Sequence, residues 1–224
     1  MHYVLLHTII GMTIYSELHR LVVSGQLDPK VRIAEADLAT RLGVSRTPIR
    51  EALHRLEGDG LVIAQGRGVR VKVMAIPELA DLLSARAGLE GWAVFQAAQR
   101  VSAGELPPAA LAELAQLADS AASHTRAGDL EQGVDFNRLF HERSAALASN
   151  AAISATLALW WDRITVSTKH TLHTPERVEQ VDREHRVIID AVLGGDAAAA
   201  RDAVEKHILN TRETLLALSE GPQQ

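Results

Sequence analysis

The sequence predicts a mostly α-helical protein in two parts: an N-terminal winged helix-turn-helix domain over residues 1–75, and a C-terminal antiparallel all-α bundle over residues 76–224. Two short amphipathic helices meet at a tight Gly43-Val44 turn, and a basic, β-rich hairpin follows directly. After Val73 little favours a strand, while apolar residues recur at helical spacing. The charge divides at the same place. Residues 1–75 hold ten Lys/Arg against seven Asp/Glu, and residues 76–224 hold thirteen against twenty-one, so the net charge of −5 hides a basic front and an acidic rear. That asymmetry suits a DNA-reading part joined to one that leaves nucleic acid alone.

The opening stretch MHYVLLHTIIGM is apolar but too short to span a bilayer. It lacks a basic leader and a small-residue cleavage site, so it reads as extra sequence before the first helix, a strand or an upstream start. No membrane partner is expected. Cysteine is absent, which excludes disulfides and thiolate chemistry and is compatible with a cytoplasmic location.

Ile14, Leu18, Leu21 and Val22 share one helical face that ends at Gly25, and Pro29 keeps the next segment out of a helix. Glu35 opens a second helix with Leu38, Ala39 and Leu42 inward, stopped by Gly43. Ser45 is a good N-cap for a third, Pro48 sits in its first turn, and Ile49, Ala52, Leu53 and Leu56 form its apolar face. The opposite face carries Arg46, Thr47, Arg50, His54 and, further round, Arg55. Arginines at the N-terminal end of such a helix match the fork of guanine O6/N7, and the Ser45 and Thr47 hydroxyls suit phosphate. In LVIAQGRGVRVKV, two strand-like runs flank Gly66, Arg67 and Gly68, giving a wing with a basic, glycine-hinged tip.

In the rear, Pro77 starts a long helix whose broad apolar face includes Leu79, Leu83, Ala87, Trp92 and Ala97. Pro107 and Pro108 open the next, Asp129 caps a third running through His141, and Asn150 starts a fourth with Trp160 and Trp161. Pro175 begins a fifth and Asp196 caps a sixth. His141, His185 and His207 occupy positions where core residues are expected, and Asn137 lies one turn before His141 on the same face. Imidazoles at such positions serve as hydrogen-bonded core residues or, if they converge, as ligands for Zn, Ni or a similar divalent ion. His170 and His173 offer a second pair at a helix end, where solvation is the expected state.

The stretch IAEADLATRLGVSRTPIREALHRLEGDGLVIAQGRGVRV resembles the winged helix-turn-helix of GntR-family bacterial transcription regulators. The whole chain is similar to the FadR-type branch with an FCD effector domain: NRLFHERSAALASN, EHRVIIDAVLGGD and EKHI look like the histidine motifs of that domain. The resemblance implies a divalent metal held by Asn137, His141, His185 and His207, with Asn137 standing where the family commonly has Asp. A neutral amide oxygen binds a cation more weakly than a carboxylate does. The resemblance also implies that Arg86, in an RxxLE-like position with Glu90, helps hold a small carboxylate effector. Alone, Arg86 and Glu90 would read as a helical ion pair, worth about 0.3–0.5 kcal/mol at a surface. Arg163 is a second carboxylate candidate. The family often offers DNA a basic residue where this chain has Ala36, leaving Arg32 as a substitute.

The expected protein is thus a sequence-specific transcriptional regulator, a repressor in the first reading. It would be a homodimer on double-stranded operator DNA, controlled by a small organic acid, with no catalytic residue assigned. Two alternatives stay open: a metal-dependent all-α enzyme, against which no HExxH, nucleophile motif or phosphate loop is present, and a metal-free dimerisation bundle.

Overall fold

The computed structural model describes residues 2–168 and 175–220, with side chains over 13–168 and 177–218. The chain separates into two compact units, one holding the residues up to Met74 together with Asp162–Ser167, the other holding the rest.

In the front unit, α1 (His2–Val23) precedes β1 (Ile33–Ala34), α2 (Glu35–Leu42), α3 (Arg46–Gly58), β2 (Val62–Ala64) and β3 (Gly68–Val71). The apolar start is helical from His2, which removes the strand from the readings offered for it. Gly43 has φ 66°, the left-handed geometry that ends α2 and starts the turn into α3. Leu18, Leu21, Leu38, Ile49, Leu56, Leu61 and Val71 meet in one core, so the apolar faces of α1, α2 and α3 close on the hairpin. The three strands run antiparallel in the order β1-β3-β2. β1 is two residues long and was not legible as a strand. Gly68 pairs with Ala34, and a Cβ there would strike the Ile33 carbonyl oxygen, so this glycine serves a close approach of backbones. Glu57 accepts the amide of Ala64 at 3.2 Å, tying the end of β2 to α3.

The rear unit is built from α4 (Ile76–Ser102), α5 (Pro108–Arg126), α6 (Leu130–Ala146), most of α7 (Ala151–Thr168), α8 (Pro175–Leu193) and α9 (Ala197–Glu220). The connections α5–α6 and α8–α9 are three residues each, so those helices fold back as hairpins, and α4 packs along α9. Asp129, Asn150 and Asp196 cap as expected, accepting the amides of Gln132, Ile153 and Ala199 at 3.3, 3.2 and 3.0 Å. Gly91 is filled in by the Glu205 side chain, so α4 and α9 meet closely there. Trp92 departs from its expected inward face. It is 46% exposed and stacks on Phe95 at 5.4 Å, because the buried stripe of α4 runs through Leu83, Ala87, Glu90 and Val94 instead.

Candidate DNA-reading face and metal centre

On the front unit, Ser45, Arg46, Thr47 and Arg50 are exposed at the N-terminal end of α3, and Pro48, Ile49, Ala52 and Leu53 are buried behind them. Ser45 stands at the N-cap with extended backbone but makes no side-chain cap bond, leaving its hydroxyl for another acceptor or donor. Arg50 is gripped by Glu35 of α2, its Nη2 donating to Oε2 at 3.0 Å and its Nε 3.3 Å from both oxygens. Arg32 and Arg67 are exposed, as is Gly66, whose φ of 60° forms the wing tip. Arg55 turns away from the expected recognition face. Its guanidinium lies 4.0 Å over the Tyr15 ring, and Tyr15 donates to Asp59 at 2.6 Å.

Within the rear unit, α6, α8 and α9 bring His141, His185 and His207 together, with one nitrogen of each within 4.8 Å of the others. All three are buried. His141 Nε2 lies 3.1 Å from His207 Nε2. His141 Nδ1 is 3.0 Å from Glu90 of α4, and His207 Nδ1 is 2.7 Å from Glu184 of α8. His185 Nε2 is buried with no hydrogen-bond partner among the described residues. Burial lowers all three histidines, His141 to about 4 and His185 well below its ordinary range, so the rings are neutral at pH 7.

The two carboxylates stay ionised. Burial pushes Glu90 up, but Arg86 and His141 outweigh it and hold it at about 2. Glu184 is likewise held at about 2, burial being outweighed by His207, Asn210 and Arg177. Arg86 donates to the two Glu90 oxygens at 2.9 and 3.2 Å and stacks its guanidinium 3.9 Å over Trp161. Arg177, itself buried, donates to Glu184 at 3.1 Å and to Thr211 at 2.5 Å.

Three imidazole nitrogens on a zinc ion at about 2.0–2.1 Å stand roughly 3.4 Å apart. The cluster needs only small ring movements to reach that spacing, and the unpartnered His185 nitrogen fits a ligand waiting for a cation. Asn137 lies one turn before His141 on α6 and is half-buried. The residues expected to meet a carboxylate effector have these surroundings. Arg86 and Glu90 are paired in the interior, and His141 Nδ1 reaches the second Glu90 oxygen. Arg163 Nε donates to the backbone oxygen of Asp59 at 2.7 Å, inside the front unit, because its turn of α7 belongs to that unit. Glu184 and Arg177 were missed altogether; the only signal was an acid next to His185, which charge patterning alone cannot single out. His170 and His173 lie outside the described residues.

Comparison with known proteins agrees with both units. Residues 11–71 match the model of the gntR family of bacterial regulatory proteins, and residues 81–210 match the FCD domain. The chain belongs to the GntR family. This regulator is 30% identical over 211 residues to the uncharacterized HTH-type transcriptional regulator YdhC of Bacillus subtilis, spanning 93% of this chain and 92% of that one. It is 35% identical over 147 residues to the Nta operon transcriptional regulator of Aminobacter aminovorans, 64% of this chain and 66% of that one. The solved structure of E. coli McbR/YncC shares its fold, with a TM-score of 0.79, 23% identity, and 94% and 99% of the two chains covered. Its two-part, mostly helical architecture and its role as a DNA-binding transcription regulator rest on these matches. No helix among the described residues is long and apolar enough to cross a membrane.

Proposed function

We propose that this GntR regulator is a cytoplasmic homodimer that represses from a short pseudo-palindromic operator and answers to a small carboxylate sensed through a metal in the FCD domain. One recognition helix contacts too few base pairs for genomic specificity, and two-fold pairing doubles the readout. Arg46, Thr47 and Arg50 would meet base edges, Ser45 and Arg32 the phosphates, and Gly66, Arg67 and Gly68 the neighbouring groove. His141, His185 and His207, with Asn137 as the oxygen donor, would hold Zn, Ni or a similar divalent ion; a bound ion would supply an open position for an anionic ligand. The observation that carries this reading is the buried, unpartnered His185 Nε2 beside two other imidazole nitrogens.

Charge explains why the effector is an acid. Arg86 cancels Glu90 and Arg177 cancels Glu184, so a divalent ion among three neutral imidazoles leaves two positive charges for an anion to answer. A thermal-shift screen of small carboxylic acids, with zinc and after chelation, tests this. The expected result is a raised midpoint for one acid only in the presence of zinc, together with a changed affinity for the operator. Acids that bind equally well after chelation would remove the metal from the reading.

A further inference from the structure

Glu184 and Glu90 lie outside the metal ligand set, yet each takes the Nδ1 side of one histidine. A carboxylate only accepts, so the proton of each ring sits on Nδ1, and the Nε2 lone pairs of His141 and His207 are left pointing at each other across 3.1 Å. Two lone pairs at that distance repel unless something positive lies between them. The carboxylates cannot be that something's ligands themselves, because they approach the far side of each ring.

Each carboxylate is in turn fixed from behind. Arg86 holds Glu90 from the preceding turn of α4, and Trp161 backs the guanidinium. Glu184 takes Arg177, Gln180 at 2.8 Å and Asn210 at 2.6 Å. These are two separate chains of contacts with one design: arginine, carboxylate, imidazole. His185, the next residue after Glu184, keeps its buried Nε2 without a hydrogen-bond partner among the described residues.

We propose that Glu90 and Glu184 are positioning residues for the metal centre: each locks the Nδ1–H tautomer and orientation of its histidine, so that two of the three nitrogens are set before the ion arrives. The inference rests on the metal reading above. Arg86 and Arg177 hold the two carboxylates in place and cancel their charge. Removing an outer partner of this kind typically costs 10- to 100-fold in metal affinity.

The test uses the full-length protein in two measurements. Nitrogen-15 NMR of the histidine rings in metal-free wild type should show the proton on Nδ1 of both His141 and His207; an Nε2–H tautomer at either ring would overturn the proposal without any variant. Zinc titration by calorimetry should then show a 10- to 100-fold loss in Glu184→Ala, largely restored in Glu184→Gln, whose amide oxygen still accepts from Nδ1–H. Zinc affinity in Glu184→Ala equal to wild type would overturn this inference alone. A wild type that binds no zinc would overturn the metal reading and this inference with it.

Discussion

Two of the molecule's Arg–Glu pairs, Arg50–Glu35 and Arg86–Glu90, have nearly the same geometry and opposite surroundings. Arg50 and Glu35 meet at 3.0 Å with the arginine side chain 61% exposed, whereas Arg86 and Glu90 meet at 2.9 Å with both side chains at 4% or less. Water and salt compete for the first pair, so Glu35 only parks the guanidinium and a duplex can take it over. Nothing competes for the second. Its charges compensate each other, His141 lies within hydrogen-bond distance of the carboxylate, and separating the pair would strand a charge in the interior. Identical chemistry therefore leaves a movable guanidinium in one unit and a fixed support in the other.

The largest expected effect comes from breaking the buried pair. Glu90→Ala leaves Arg86 without its partner and should cost about 3–5 kcal/mol, read as a lowered denaturation midpoint; a loss under about 1 kcal/mol would mean that the interior tolerates the lone guanidinium. Next comes His185→Leu. It removes a buried orphan nitrogen, so the metal-free protein should lose little stability, while the stabilisation by zinc, about 2.7 kcal/mol at one hundred times the dissociation constant, should disappear. The exposed pair should behave in the reverse way. Arg50→Ala should weaken operator binding roughly ten- to hundredfold and relax the preference at one base position, with an unchanged unfolding midpoint. Arg67→Ala, at the wing tip, should lower the slope of log affinity against log salt by about one, alike for operator and random DNA. Smallest of all, Glu35→Gln should leave stability untouched and slightly raise affinity for any duplex, since it removes a negative charge from the reading face; weaker binding would show that Glu35 aims Arg50 instead of parking it.

What could be read from the residues follows the range of the interactions. The helices of the front unit announce themselves because caps, Gly43 and the 3.6-residue period act within a few positions. The three histidines were visible as polar residues on apolar faces, and the family motifs grouped them. Their outer partners were not: Glu184 reaches His207 and Glu90 reaches His141 across different helices, separations of 23 and 51 residues that leave no periodic trace. Periodicity also misplaced Trp92 by treating every large apolar residue of α4 as core. The placement of Arg163 in the front unit was not legible for a related reason, since helical phase shows which face a side chain takes and is silent on which unit that turn joins.

Gly68 gives the hairpin one rigid edge and one loose lip. With its backbone flush against Ile33, even a methyl group at 68 would prise the short outer strand off the sheet, while positions 65–67 stay clear of that seam. Side chains can therefore vary at those three positions without altering the frame that carries them.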